Sequence, residues 1–255
     1  MSGRSPYSGQ LQMSLLRDWL YVARFNSGEG LRIHWRLLRF SRLHIHRVSL
    51  LAEVLRTIPP DVVESFRSRL LEKGASTKAG KYFDLVSHLA RAVVEADLLG
   101  VINSKSRLRV LDLGTGCGYF PYVCRYLGHE IETLDKQEGK YGYARNQLGV
   151  PVCLWQMTPD NPLPEFDKQF DLITAFQPVF FMHQPAKFGR LWTPDLWKKF
   201  FSGIREALSH RGRFYLGAND LSRVDQYELR RMIAYFRENG GGRVSDGWIF
   251  DRDSL

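Results

Sequence analysis

From Leu108 onward the chain alternates short apolar runs with longer amphipathic ones, and this alternation narrows the choice of fold more than any other feature. The runs at 108–113, 130–134, 151–155, 170–176 and 212–218 read as strands, and 119–127, 139–147, 195–209 and 221–238 read as helices. Strands joined through helices run parallel, with the helices covering the faces of the sheet. The expected fold is α/β, a doubly wound, mostly parallel sheet. After position 238, Arg243 to Phe250 offers one further strand.

The residues before this alternation read differently. Positions 1–10 are Ser/Gly-rich and expected to be disordered. Leu11 to Arg24 has the apolar spacing of a helix, and Leu31 to Leu37 alternates like a strand. Helices follow at 48–56, ended by Ile58-Pro59-Pro60, at 62–72, closed by Gly74, and at 81–99, closed by Gly100. The expected organisation is a basic, mostly helical N-terminal extension over 1–105 and a sheet domain over 106–255.

Charge supports that division. Residues 1–50 carry eight arginines against Asp18 and Glu29, and so hold six of the nine net positive charges. Three readings of this basic stretch stand: a cap over the pocket, a surface for phosphate-rich partners (nucleic acid or a membrane face), or an organellar presequence. The cap is preferred, because the apolar pattern continues through residue 55, beyond what a cleaved presequence needs. No run of about 18 apolar residues predicts a spanning helix. Arg17 and Asp18 break the first apolar stretch, which argues against a secretory signal. Cys117, Cys124 and Cys153 are odd in number and lack CxxC spacing, as expected of free thiols in a reducing cytoplasm.

The chemistry concentrates where the first strand ends. Leu111-Asp112-Leu113-Gly114-Thr115-Gly116-Cys117-Gly118 runs an apolar strand and an acid into a turn with glycine at every second position. Such a turn lets backbone approach a ligand closely, and a helix that follows aims its free N–H groups there. The second strand ends in Asp135, 21 residues after Gly114, where a carboxylate can accept from ribose hydroxyls. NAD and S-adenosylmethionine (SAM) both remain open to this point. Two details separate them. Tyr119 stands where G-x-G-x-x-G wants its third glycine, and Asp112 would set an anion beside a pyrophosphate. A ligand with a sulfonium and an ammonium group favours an acid there, so SAM is the expected cofactor.

This loop resembles motif I of the class I SAM-dependent methyltransferases. Asp135 matches their ribose-binding acid, and Phe170-Asp171-Leu172-Ile173-Thr174-Ala175-Phe176 resembles their fourth strand. Leu208-Ser209-His210-Arg211-Gly212 resembles their L-x-P-G-G turn into the fifth, with His-Arg replacing Pro-Gly. The resemblance implies a Rossmann-like core of seven strands and cofactor contacts from Asp112, Gly114, Thr115, Gly116, Cys117 and Gly118. It also implies contacts from Asp135 and Lys136, from Gln156 and Met157 beside adenine (Asp160 competing), and from Phe176 and Gln177. Gln177-Pro178-Val179-Phe180 departs from the Asn/Asp-Pro-Pro-Tyr/Phe of the amino-methylating nucleic-acid enzymes. A small or medium-sized acceptor is therefore expected, a sugar or other metabolite hydroxyl, with His183 as its base and Trp192 and Asn219 as substrate contacts. Asn219-Asp220 sit where metal-dependent relatives hold two ligands, but Gln177 stands near the third, and no metal is expected. The alternatives are a nucleic-acid methyltransferase using the basic arm, a non-catalytic binding partner with the same fold, and an NAD-dependent oxidoreductase.

Overall fold

The structure, a computed structural model, describes residues 45–74, 77, 80–136, 139–158, 161–176, 181–182, 190–217 and 225–255. The helix expected over 11–24 and the strand-like 31–37 lie outside the described residues. The chain divides into two compact units: Met1–Asn103 with Cys117–Leu127 and Tyr143–Gly149, and Ser104–Gly116 with Gly128–Gly142 and Val150–Leu255. The division after Asn103 lies near the expected end of the N-terminal extension, but two later segments group with the helical unit.

The described part of the first unit is helical. It contains α1 (Ile45–Arg56), α2 (Pro60–Lys73), a single 3₁₀ turn (Gly80–Phe83) and α3 (Leu85–Leu98). The single helix expected at 81–99 is thus split. Asp84 accepts from the Ser87 backbone N–H at 3.1 Å, so α3 begins with its own cap. The later segments add α4 (Tyr119–Tyr126) and the end of α5 (Gly139–Gln147). Leu51, Val54, Leu55, Phe66, Leu89, Val93, Phe120 and Val123 are buried apolar side chains of this unit. Arg69 lies 3.5 Å from the centre of the Tyr143 ring, and the Tyr143 and Ser65 hydroxyls bond to each other. His88 stacks on Tyr119 at 4.9 Å, with planes 5° apart.

The second unit holds the sheet: β1 (Arg109–Leu113), β2 (Glu130–Asp135), β3 (Cys153–Leu154), β4 (Phe170–Ala175), β7 (Leu208–Gly217), β8 (Gly242–Val244) and β9 (Gly247–Asp251). Two short strands, β5 (Phe181–Met182) and β6 (Arg190–Leu191), pair separately with each other. The seven-stranded order is β3-β2-β1-β4-β7-β9-β8. The first five run parallel, and β9 is antiparallel to both its neighbours. The chain winds outward from β1 first to one side and then to the other, which makes the sheet doubly wound and mostly parallel, as expected. All five residues of β1 are buried, the mark of a strand covered on both faces.

Two sequence expectations about the sheet need correction. The stretch read as one strand, Arg243 to Phe250, is a hairpin in which Val244 pairs with Gly247 across Ser245 and Asp246. Ser245 takes φ +54°, the positive value a two-residue hairpin turn demands. The core therefore has all seven strands. The fifth strand begins at Leu208 rather than 212, because Leu208 already pairs with Phe170 before the register shifts and Arg213 meets Leu172. Gly212 sits in that irregularity, where a Cβ would stand 2.7 Å from the Phe170 carbonyl oxygen.

One face of the sheet carries α6 (Pro194–Ala207) and α7 (Gln226–Glu238) over an aromatic core. Trp197, Phe200, Phe201 and Ile204, spaced along one helix face, are buried there. Trp197 and Phe236 meet edge to face at 4.9 Å, and Phe201 and Phe250 lie 5.0 Å apart. This core anchors the sheet and leaves the carboxyl ends of β1, β2 and β4 to the loops.

Candidate functional site

The strand order puts the switch point between β1 and β4, where the chain turns from one side of the sheet to the other. Doubly wound sheets bind their ligands outside the carboxyl ends of the strands at this point. Here β1 ends in Asp112 and Leu113 and continues into the glycine turn. The Leu134 carbonyl on β2 accepts from the N–H of Gly114 at 2.7 Å and of Thr115 at 3.2 Å, tying the turn to the neighbouring strand.

Gly114 has φ +73° and Gly116 +55°, conformations that an L side chain rarely tolerates. A Cβ on Gly114 would meet nothing within 4 Å, and on Gly116 only the Gly114 carbonyl oxygen at 4.0 Å. The glycines are thus required by backbone conformation, and the space above them is open. The side chains between them turn inward: Thr115 and Cys117 are both buried. Gly118, with φ +79°, stands as the N-cap of α4.

Two carboxylates close the site within the sheet unit. Asp135 Oδ2 accepts from the Gly116 N–H at 2.8 Å, and its Oδ1 from the Lys136 N–H at 2.7 Å. It is therefore a clamp on the glycine turn, a role the sequence reading had not assigned to it. A carboxylate has about four acceptor positions, more than these two bonds use. The Lys136 side chain is exposed beyond it.

Asp112 is the more unusual group. It is 2% exposed, and Thr174 Oγ1 on β4 donates to its Oδ1 at 2.7 Å. The Thr115 hydroxyl lies near the carboxylate and favours its charged form, though without the geometry of a full bond. Burial pushes the Asp112 carboxyl up to about 6; the two hydroxyls oppose the rise and the Asp135 charge adds to it. Among the described residues no cation forms an ion pair with it.

The remaining predicted contacts fare differently. Gln156 is exposed after β3, where its carbonyl accepts from Asn161 at 2.7 Å. Met157 is partly buried against the sheet core. Phe176 is half-buried at the end of β4, its ring 5.1 Å from that of Tyr215. Trp192, expected as a substrate contact, is 6% exposed and packs on Trp197 at 5.0 Å and Phe200 at 5.4 Å. Gln177, His183 and Asn219 lie outside the described residues, as do Asp160 and Asp220. Thr174 is the site residue that sequence reasoning missed. The signal available for it was a hydroxyl inside the otherwise apolar run Leu172-Ile173-Thr174-Ala175.

The strand order makes this a doubly wound, Rossmann-like fold. No protein-family model matches the chain, and no curated protein matches it. Among solved structures it is similar to ribosomal protein L11 methylase from Lactobacillus delbrueckii subsp. bulgaricus, at 17% identity over 62% of this chain and 76% of that one, with a TM-score of 0.39. It is also similar to SAM-bound CalS10, an amino pentose methyltransferase from Micromonospora echinaspora, at 19% identity and a TM-score of 0.36. There the match spans 51% of this chain and half the length of the other. A third is precorrin-6y C5,15-methyltransferase from Geobacter metallireducens GS-15, at 15% identity over 58% and 70% of the two chains, with a TM-score of 0.36.

Among the described residues no helix is long and apolar enough to cross a membrane, and no group of His, Cys, Asp and Glu could hold a metal ion.

Proposed function

We propose that the chain is a SAM-dependent methyltransferase acting on a small or medium-sized hydroxyl compound, a sugar or other metabolite. The observation that carries the cofactor reading is Asp112, an acid buried at the switch point with two hydroxyls beside it and no ion-pair partner among the described residues. A buried carboxylate is costly unless a cation or strong donors offset it, so this one favours a ligand that brings positive charge. SAM supplies, when bound, a methyl group on a cationic sulfonium together with an ammonium group.

The residues present fit such a ligand. Asp112 would hold its positive end, and the open backbone over Gly114 and Gly116 would let it lie close. Asp135, already clamped to the turn, would accept from the ribose hydroxyls. A pyrophosphate suits this site less, because the carboxylates of Asp112 and Asp135 would repel it.

The acceptor reading is supported by sequence. Gln177-Pro178-Val179-Phe180 lacks the second proline and the short amide or acid of the nucleobase-amine signature. In this reading His183 takes the proton from the acceptor hydroxyl, and Asn219 helps to hold the acceptor. Most of the rate would come from aligning acceptor and methyl group.

Isothermal calorimetry with SAM and with NADH, followed by labelled-methyl transfer to sugars, other metabolites, RNA and DNA, tests both halves. Micromolar SAM binding with transfer to a metabolite is expected. Binding of NADH but not SAM would overturn the cofactor reading, and transfer to nucleic acid alone would overturn the acceptor reading.

A further inference from the structure

The register of the sheet sets Asp112 between two threonines, Thr133 on β2 and Thr174 on β4. In parallel strands, residues in register point to the same face, so each hydroxyl has the chance to reach the carboxylate. Both threonines are buried, at 4% and 0% exposure. A hydroxyl in such a place must find a partner, and the two find different ones. Thr133 donates to the Pro151 carbonyl. Thr174 donates to Asp112 Oδ1 at 2.7 Å, its alternative acceptor, the Leu111 carbonyl, being 3.4 Å away.

We propose that Thr174 is a positioning residue for Asp112: its hydroxyl, reaching across the switch point, holds that carboxylate charged and in one orientation for a cationic ligand. The bond is independent of the methyltransferase reading; that the cation belongs to SAM rests on it. A hydroxyl donating to a carboxylate stabilises the ionised form, which a hydroxyl-free side chain of the same shape cannot do.

The other groups around Asp112 make this support necessary. The negative charge of Asp135, at the end of β2, opposes its ionisation, and the Thr115 hydroxyl of the turn favours it. Lys136 is exposed. Thr174 is the side chain that β4 presents to it. Removing this bond therefore moves Asp112 toward its neutral form at the pH where the site must attract a cation.

The test uses the full chain and four variants: Thr174→Val, Thr174→Ala, Thr174→Ser and Thr133→Val. Carboxyl ¹³C NMR of aspartate-labelled protein reads the Asp112 titration without any cofactor, and calorimetry reads SAM affinity at pH 6.5 and 8.5. Thr174→Val should raise the Asp112 midpoint by about one pH unit. With the wild-type midpoint near 6, SAM affinity then falls about threefold at pH 6.5, and the ionisation part of the loss vanishes by pH 8.5. Thr174→Ala, read alongside in case the valine variant does not fold, should behave alike. Thr174→Ser should restore both readings, and Thr133→Val should leave the midpoint in place. A midpoint in both hydroxyl-free variants within about a third of a pH unit of wild type would sink the proposal. So would an equal shift in Thr133→Val, or an affinity loss that is the same at both pH values. If wild type binds no SAM, the methyltransferase reading fails, and the NMR midpoints still decide the role of Thr174.

Discussion

The two ends of β1 carry opposite charges, and the protein treats them in opposite ways. Arg109, at the amino end, is 9% exposed and surrounded by its own counter-charges. Its guanidinium pairs with Glu132 and, at 2.9 Å, with Asp167, and stands 4.7 Å from the centre of the Phe170 ring. Burial alone would lower its pKa, but the bonds and charges of these two carboxylates outweigh that and raise it. Asp112, three residues on, is buried more deeply and meets hydroxyls and another acid. One end is neutralised from within, which is the pattern of a structural charge. The other keeps an unbalanced negative charge, which is the pattern of a site prepared for something the chain does not itself contain.

The sharpest way to break this comparison is to remove the charge at the carboxyl end. Asp112→Asn should weaken SAM binding by more than about 100-fold by calorimetry. The same variant should be more stable than wild type at pH 7.5. The sign follows from the raised pKa: the Asp112 carboxyl titrates near 6 in the folded chain against an ordinary value of 3.8. Its relative stabilisation is full below pH 3.8 and is lost as pH rises through 6, leaving a penalty on the order of 3 kcal/mol at neutral pH. Asparagine removes the charge but keeps a buried polar group, so urea unfolding should show a net gain of about 1–2 kcal/mol.

At the amino end the expectation reverses. Arg109→Met should cost about 2 kcal/mol of stability in urea unfolding, less than for a fully buried pair because Glu132 is partly and Asp167 largely exposed. SAM affinity of the folded fraction should not change. If Arg109→Met weakens binding as much as Asp112→Asn does, the contrast between the two ends collapses. The smallest effect expected is that of pH on wild type. Lowering pH from 7 to 5 carries Asp112 through its midpoint, and the SAM dissociation constant should rise about tenfold by calorimetry. A pH-independent constant would mean that Asp112 does not hold the cationic end.

Much of this architecture could be read residue by residue. The glycine turn was legible because its conformation is a local requirement: Gly114, Gly116 and Gly118 all take positive φ. The α5 boundaries, 139–147, were read correctly from spacing alone. The C-terminal hairpin was misread as one strand although Asp246-Gly247 is a turn signal. The surrounding residues do not reveal what secures that turn, the Tyr215 hydroxyl donating to Asp246 at 3.0 Å. The burial of Trp192 was not legible for a related reason. Its position before α6 suggested an open wall, but its burial depends on Trp197 and Phe200, and no local pattern shows how those rings close around it.

The contrast at β1 marks the same boundary. Sequence by itself determined the alternation of strands and helices, the glycine turn and the two acids at the ends of β1 and β2, because periodicity and turn chemistry are written into neighbouring residues. Only the tertiary structure decided that Asp112 lies beside Thr174, 62 positions away, and that Arg109 lies beside Glu132 and Asp167. Those partnerships depend on which strands pair and in what register. Register sets which charges are balanced within the sheet and which one is left for a ligand.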